Sequence, residues 1–380
     1  MMPSLICEIH PPSIRYEIEF SRNLLEDFSS LGEFVSKQGS KVAIISNSLV
    51  GPLYGSSLCL SLNDFGIESH LFVFEDGEAY KSRSTKESIE NQMFEKKFGR
   101  DTCLIALGGG VVMDMGGFIA ATYCRGISLV MIPTSLLGMV DACIGGKTGV
   151  NLSYGKNLSG SIYQPKKVFI DPFMLKTLSK PELKNGMAEM VKHALILDSQ
   201  FFDYLDQNAQ ALLDLDIEKI EKAIYMSCQI KKRVVELDEK ETGMRRLLNF
   251  GHTVAHALEK LNHYHLSHGE AVAIGLATES YLACLEGYLD PWLLNSILKL
   301  LQKFRFSFSF SERFPLELFK EAMSLDKKAR CNQARFVMID KIGSSLKFDG
   351  EYCASVHSDH INQALKWMYH DLCCYTGPNL

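Results

Sequence analysis

The first half of the chain carries short apolar, partly β-branched runs: Lys41-Val42-Ala43-Ile44-Ile45, His70-Leu71-Phe72-Val73-Phe74, Cys103-Leu104-Ile105-Ala106-Leu107 and Ser128-Leu129-Val130-Met131-Ile132. Apolar runs without alternation suit strands buried on both faces. Helical stretches separate them, so the pattern predicts a parallel sheet covered by helices. From about Lys176 the period changes. Apolar residues recur at spacings of three and four through 191–197, 217–235 and 272–285, which predicts a mainly helical second half. The expected fold class is α/β, with a parallel-sheet domain over 1–175 and a mainly α-helical domain over 176–380, divided near Asp171-Pro172. A short pair of strands is expected at 335–339 and 345–348, and no internal repeat or low-complexity segment is evident.

The run 103–107 leads into Gly108-Gly109-Gly110 and then into an apolar helical stretch containing Asp114, which reads as strand, glycine turn and helix. Such a turn lets backbone approach a ligand, and the helix N-terminus offers unpaired amides to a pyrophosphate. A nicotinamide dinucleotide suits it, although the pattern is not the GxGxxG fingerprint and a purely structural turn is the alternative. After the run 70–74 comes a polar turn with Glu78 and Lys81, able to hold ribose hydroxyls or merely to cover a strand end.

A third stretch, 133–157, gathers Thr134, Ser135, Asp141, Lys147, Lys156 and Asn157 among glycines. Ammonium and amide groups beside flexible backbone suit a phosphate monoester, the bland alternative being a glycine-rich loop with solvated lysines. Gly145-Gly146-Lys147-Thr148 resembles the end of a Walker A loop, but Asp141 stands where that motif begins with glycine. A nucleoside triphosphatase is disfavoured.

Chemistry in the second half centres on Glu189 in a helical stretch, Asn249-Phe250-Gly251-His252, and His268, sixteen residues beyond His252. One carboxylate and two imidazoles suit a catalytic zinc that keeps a position open. His252 and His256 are spaced like a zincin pair, but Thr253 replaces the glutamate base of that motif. His263, His265 and His268 crowd together, and spacing does not choose among them.

In this order the three stretches resemble the 3-dehydroquinate synthases of the shikimate pathway, within the wider sugar phosphate cyclases. The resemblance spans about residues 40 to 345 and is strongest over 108–126, 132–151, 155–165, 186–194, 238–259, 268–275 and 326–335. Met113, Met115, Gly116, Ala142, Cys143, Asn332 and Gln333 depart from the family pattern, mostly at positions that read as packing.

The resemblance implies conversion of 3-deoxy-D-arabino-heptulosonate 7-phosphate to 3-dehydroquinate and phosphate, with NAD oxidising and then re-reducing the substrate. It implies a dinucleotide-binding first domain and a metal-binding second domain. Glu189, His252 and His268 would hold Zn2+, or Co2+, and His263 and His265 would be structural or solvent-facing. Substrate-side residues would be Lys147, Lys156, Asn157, Lys192, Arg245, Asn249 and His256, with Arg125 reaching across a homodimer interface. Lys231, Glu241 and one of Lys327 or Lys328 also fall on family positions. The NAD-contacting set would be Glu78, Lys81, Gly109, Gly110, Asp114, Thr134, Ser135, Asp141 and Thr177. The alternatives are another sugar phosphate cyclase, a metal-dependent alcohol dehydrogenase, in which Lys147 and Asn157 would be idle, and a non-catalytic binding protein.

Composition agrees. The 380 residues, 46% hydrophobic, are enough for two cores. Eleven cysteines without framework spacing and no signal peptide predict free thiols in the cytoplasm. Asp114, Arg125 and Asp141 interrupt the most apolar region, so no membrane span is expected, and the net charge of -5 argues against nucleic acid.

Overall fold

Strands β2 (Lys41–Asn47), β4 (Thr102–Gly108) and β5 (Ser128–Pro133) are buried along almost their whole length, as the uninterrupted apolar runs predict. This computed structural model describes residues 13–262, 265–310, 314–324 and 334–375. With β1 (Glu17–Phe20), β3 (Glu68–Phe74) and β8 (Lys167–Ile170) these strands form a parallel sheet in the order β1-β8-β5-β4-β2-β3. The order changes direction between β2 and β4, so the crevice beyond their carboxyl ends is a topological switch point. Helices α1 (Ser29–Ser36), α2 (Ser56–Asp64), α3 (Arg83–Glu95) and α4 (Gly110–Thr122) lie between the strands in sequence, and α4 starts at that crevice.

One element departs from expectation. The stretch read as a glycine-rich loop is an antiparallel hairpin of β6 (Lys147–Leu152) and β7 (Gly155–Ile162), packed against α4. A side chain at Gly160 would place its Cβ 2.0 Å from the Thr148 carbonyl oxygen, so the glycines are there to let the two strands close. Because Lys147 opens a strand rather than a helix, the Walker A resemblance fails structurally as well.

Beyond β8 the chain is mainly helical, through α5 (Lys180–Leu197), α6 (Ser199–Leu213), α7 (Ile217–Leu237), α8 (His252–Leu261), α9 (His268–Leu285), α10 (Pro291–Lys303), α11 (Leu316–Ser324) and α12 (Ser358–Trp367). Apolar on nearly every side, α9 is buried at the centre against α5, α8, α10 and α12. Its contact with α8 is very close: a Cβ at Gly275 would lie 2.0 Å from the Gly251 carbonyl oxygen.

Small strand pairs complete the description: β9 (Ser309–Phe310) with β12 (Cys374–Tyr375), and β10 (Ile339–Lys341) with β11 (Ser344–Ser345). The pair expected at 335–339 and 345–348 is thus shorter and shifted. Phe336 bridges Ala354 and Phe348 bridges Glu351 instead, so only the turn-proximal residues face each other. No described helix is long and apolar enough to cross a membrane, and described cysteines such as Cys143 and Cys228 are free thiols.

Candidate active site

The start of α8 positions the centre of the site. Gly251 is left-handed at the helix N-cap (φ 79°), and the fully buried Glu279 of α9 accepts the Gly251 N–H at 2.8 Å and the Val254 N–H at 3.2 Å. A carboxylate there satisfies amide groups the helix cannot pair and complements its positive end. His252 is thereby held on the first turn, with its Nε2 3.3 Å from Glu189 Oε1. His268, at the start of α9, brings its Nε2 to 3.2 Å from the same oxygen. Ligand atoms of Glu189, His252 and His268 all lie within 4.8 Å of one another.

The outer nitrogens are also occupied. His252 Nδ1 faces the Phe250 carbonyl oxygen at 3.1 Å, and His268 Nδ1 faces Glu259 Oε1 at 3.4 Å. Acceptors behind both imidazoles direct both Nε2 atoms at one point, which is the arrangement of histidines that ligate a metal. The donor set fits a divalent ion of the zinc or cobalt kind. A second grouping of Asp141, Glu189 and His193 shares Glu189, but the Lys231 ammonium pairs with Asp141 and His193 Nδ1 faces the Ser227 hydroxyl at 2.7 Å.

Electrostatics follow from burial and neighbours. Burial would raise the Glu189 carboxyl, but Lys192, which donates a hydrogen bond to Oε2, and His252 outweigh it and hold it well below the usual range. Burial and the nearby Lys192 charge lower His252 to about 4. For His268 burial acts downward, and the bonds to Glu189 and Glu259 overcome it, raising the pKa to about 10.

Around this centre the structure links most of the expected residues. Lys147, at the start of β6, pairs with Glu241, whose other oxygen accepts from Asn249 at 2.6 Å. Lys231 donates to the Asp141 carbonyl oxygen at 2.6 Å and to its carboxylate at 2.5 Å. Burial would raise Asp141, but Lys231 holds it below the ordinary carboxylate range. Lys81 is buried between Asp114 of α4 and Asn157 of β7, with Asn157 Oδ1 at 2.6 Å. Burial opposes its charge, yet Asp114 and Glu78 raise its pKa. Glu78 itself accepts from Asn151 at 2.7 Å.

Gly109 and Gly110 open α4 without a side-chain cap, and Ser135 stands across from Gly109, where a Cβ would come 3.2 Å from the Ser135 hydroxyl. Thr134 donates its N–H to the Gly108 carbonyl oxygen at 2.8 Å. Thr177 is farther along, with its hydroxyl 2.7 Å from the Tyr54 hydroxyl. An uncapped glycine N-terminus flanked by small hydroxyl residues fits a dinucleotide pyrophosphate.

Other candidates lie apart. Arg125 is exposed on the left-handed turn Cys124-Arg125-Gly126, at the end of α4 opposite Gly110. No described hydrogen bond or ion pair joins it to the rest. His256 is exposed one turn from His252, their rings 5.3 Å apart, and His265 is exposed on the approach to α9. Met113, Met115 and Cys143 are buried packing positions. His263, Lys327, Lys328, Asn332 and Gln333 fall outside the described residues.

Sequence reasoning missed the supporting carboxylates Glu259, Glu279 and Asp238. Asp238 accepts from Thr242 N at 2.9 Å, Gly243 N at 2.7 Å and Arg245 N at 3.0 Å, stapling the loop that carries Glu241 and Arg245. Hydrogen bonds to a charged group are each worth about 1.5–3 kcal/mol, so Asp238→Ala is expected to lose about 2 kcal/mol or more in urea unfolding. The pH dependence has a definite sign. Burial would raise the carboxyl, but the Gly243, Arg245 and Thr242 bonds lower it below 3.8. Its stabilisation is therefore complete above the unfolded pKa and fades as pH falls through the folded one. The wild-type advantage should narrow below about pH 4, and an advantage unchanged at about pH 3 would contradict this role.

Fold and site together define a class: a switch-point crevice in a parallel sheet facing a buried Glu-His-His cluster on helices. A solved structure similar to this chain is 2-epi-5-epi-valiolone synthase from Streptomyces hygroscopicus subsp. jinggangensis 5008, determined with NAD+ and Zn2+ bound. It is 28% identical, covers 95% of this chain and 99% of its own, and superimposes with a TM-score of 0.86. An iron-containing alcohol dehydrogenase from Thermotoga maritima shares the fold alone, at 14% identity and a TM-score of 0.64 over 93% of this chain and 97% of its own.

Within this class the chain belongs to the 3-dehydroquinate synthase family. The family's N-terminal part, "3-dehydroquinate synthase N-terminal", matches residues 71–185, and "3-dehydroquinate synthase C-terminal" matches 186–329. A curated 3-dehydroquinate synthase from Vibrio atlanticus (strain LGP32) is 41% identical over 351 residues, 92% of this chain and 95% of that protein.

Proposed function

We propose that this protein converts 3-deoxy-D-arabino-heptulosonate 7-phosphate into 3-dehydroquinate and phosphate, with NAD and a divalent metal as resident cofactors. The observation that carries the reading is the convergence of His252 and His268 Nε2 on Glu189 Oε1, beside Lys192 and the Lys147–Glu241–Asn249 network. NAD would supply reversible hydride transfer, and zinc or cobalt would supply Lewis acidity toward the substrate hydroxyls.

The chain's own groups divide the remaining work. Glu189, His252 and His268 hold the metal; Gly109, Gly110, Thr134 and Ser135 border the pyrophosphate; Glu78, Lys81, Asp114, Asp141 and Thr177 line the rest of the dinucleotide site. Lys147, Lys156 and Asn157 lie on the hairpin and receive the phosphate monoester; as it departs with the C–O electron pair, the neighbouring C–H pair becomes the new C=C bond and the proton passes to an oxygen of the departing phosphate. Arg245 takes the substrate carboxylate, Asn249 and Lys192 its hydroxyls, and Lys231 fixes Asp141. His256, exposed beside His252, handles a proton at the ring. Arg125, set away from these groups on a left-handed turn, serves the second site of a homodimer in the cytoplasm.

Another sugar phosphate cyclase would use the same cofactors, but the buried guanidinium of Arg245 favours a carboxylate-bearing substrate. In the deciding assay the metal-loaded protein receives the heptulosonate phosphate with substoichiometric NAD. Many chelator-sensitive turnovers per NAD are expected, each releasing one phosphate and one 3-dehydroquinate. No phosphate release with fresh NAD present would remove the assignment.

A further inference from the structure

Glu259 lies on α8 seven residues beyond His252, on the same face as His252 and His256, and its side chain is buried. One oxygen, Oε1, meets two groups from different elements. It is 3.4 Å from Nδ1 of His268 on α9 and 3.2 Å from Nζ of Lys156 on β7. His268 turns its other nitrogen toward Glu189, so Glu259 stands directly behind a proposed metal ligand. Lys156 belongs to the hairpin proposed to receive the phosphate.

From this geometry we infer that Glu259 is a positioning residue that couples the metal centre to the phosphate-binding hairpin. The inference rests on the metal-site reading given above. By accepting the Nδ1–H, Glu259 fixes the tautomer in which Nε2 carries the ligating lone pair and sets the plane of the ring. Through the same oxygen it holds the ammonium of Lys156 over the helical part of the molecule. The hairpin lysine and the metal ligand then take their places together, and the metal and the phosphate-bearing end of the substrate are registered to each other. His252 has no such link, since a backbone carbonyl oxygen backs its Nδ1.

The test compares full-length wild type, Glu259→Gln, Lys156→Met and the double variant. Zinc affinity is measured by competition with a chromogenic chelator, and KM for the heptulosonate phosphate is measured at saturating zinc. Glu259→Gln should bind zinc about 10–100-fold more weakly, the usual effect of removing an acceptor behind a ligating histidine. It should also raise KM with metal saturating. Lys156→Met should raise KM but leave zinc affinity within about twofold, because the His268 contact survives. The double variant should have nearly the KM of Lys156→Met alone, since both changes remove one contact. A merely structural role would instead give additive KM effects. Should Glu259→Gln fail to fold, Glu259→Asp keeps the charge but withdraws the oxygen by one methylene, and weaker zinc binding is again expected. Zinc affinity of the Glu259 variants within about twofold of wild type, or additive KM effects, would overturn the inference. Glu189→Gln separates the two readings: wild type binding zinc no better than that variant would fail the metal site itself, whereas tight wild-type binding unchanged in Glu259→Gln would fail only this coupling.

Discussion

Glu189→Gln is expected to abolish stoichiometric zinc binding and to lower kcat about a thousandfold or more, because Lewis-acid stabilisation is worth several kcal/mol and each 1.36 kcal/mol is a factor of ten. The substitution keeps size and shape and removes only charge. In the native site that one carboxylate faces His252 Nε2 at 3.3 Å, His268 Nε2 at 3.2 Å and the Lys192 ammonium. All of this happens at 1% exposure, where neither water nor salt can substitute for it. Neutralising Glu189 leaves the Lys192 ammonium buried without its counter-charge, a situation that costs about 3–5 kcal/mol. Lower thermal stability should therefore accompany the loss of metal. Elemental analysis, steady-state rates and circular dichroism on one preparation check all three effects. A folded variant that keeps one zinc per chain and turns over within tenfold of wild type would remove Glu189 from the metal site. His268→Ala, which unpairs no buried lysine, provides the same test with less effect on folding.

The elements most legible in the sequence are those whose environment is simplest. Strands β2, β4 and β5 lie inside a covered parallel sheet, and their runs of Val, Ile and Leu report that burial directly, whereas β3, read from a similar run, is an edge strand with only Phe72 and Phe74 buried. Helix α7 announces itself by periodicity over many residues, and α9 by a long apolar stretch that the fold buries on nearly every side. The β6–β7 hairpin does not, because Gly155-Lys156-Asn157-Leu158-Ser159-Gly160 has almost no strand character of its own. It is held by pairing, by packing on α4 and by the Lys81–Asn157 bond. Local propensity and final structure part company there, at the hairpin proposed to receive the phosphate.

The site shows the same division. Five histidines between 252 and 268 cannot be sorted by spacing. Geometry distinguishes His252 and His268 by aiming their Nε2 atoms at Glu189, and leaves His256 and His265 exposed. Glu259, Glu279 and Asp238 were invisible in the sequence for a plainer reason. Each is one acid among 45, and what distinguishes it is a burial or a set of backbone amides assembled only by the fold.

Arg245→Met should lower kcat/KM for the heptulosonate phosphate by about 150-fold, from about 3 kcal/mol for truncating one partner of a buried charged hydrogen-bonded pair. Arg245 is 1% exposed, and its backbone N–H is fixed by Asp238. Nη1 donates to the Glu239 carbonyl oxygen, while Nε has no partner among the described residues. The planar group is wedged against Gly145, where a Cβ would come 2.5 Å from Nη2. A buried fork with a spare donor suits an anion with two oxygens, and a carboxylate has that shape. Arg245→Lys should recover at most a tenfold share of the loss, since an ammonium restores the charge without the fork. The decisive comparison uses a substrate analogue lacking the carboxylate. If Arg245 recognises that group, wild type and Arg245→Met should bind the analogue with similar affinity, the penalty having moved from the enzyme to the ligand. An equal penalty on both compounds would mean that Arg245 braces the loop carrying Glu241 and Asn249, and that the carboxylate is held elsewhere.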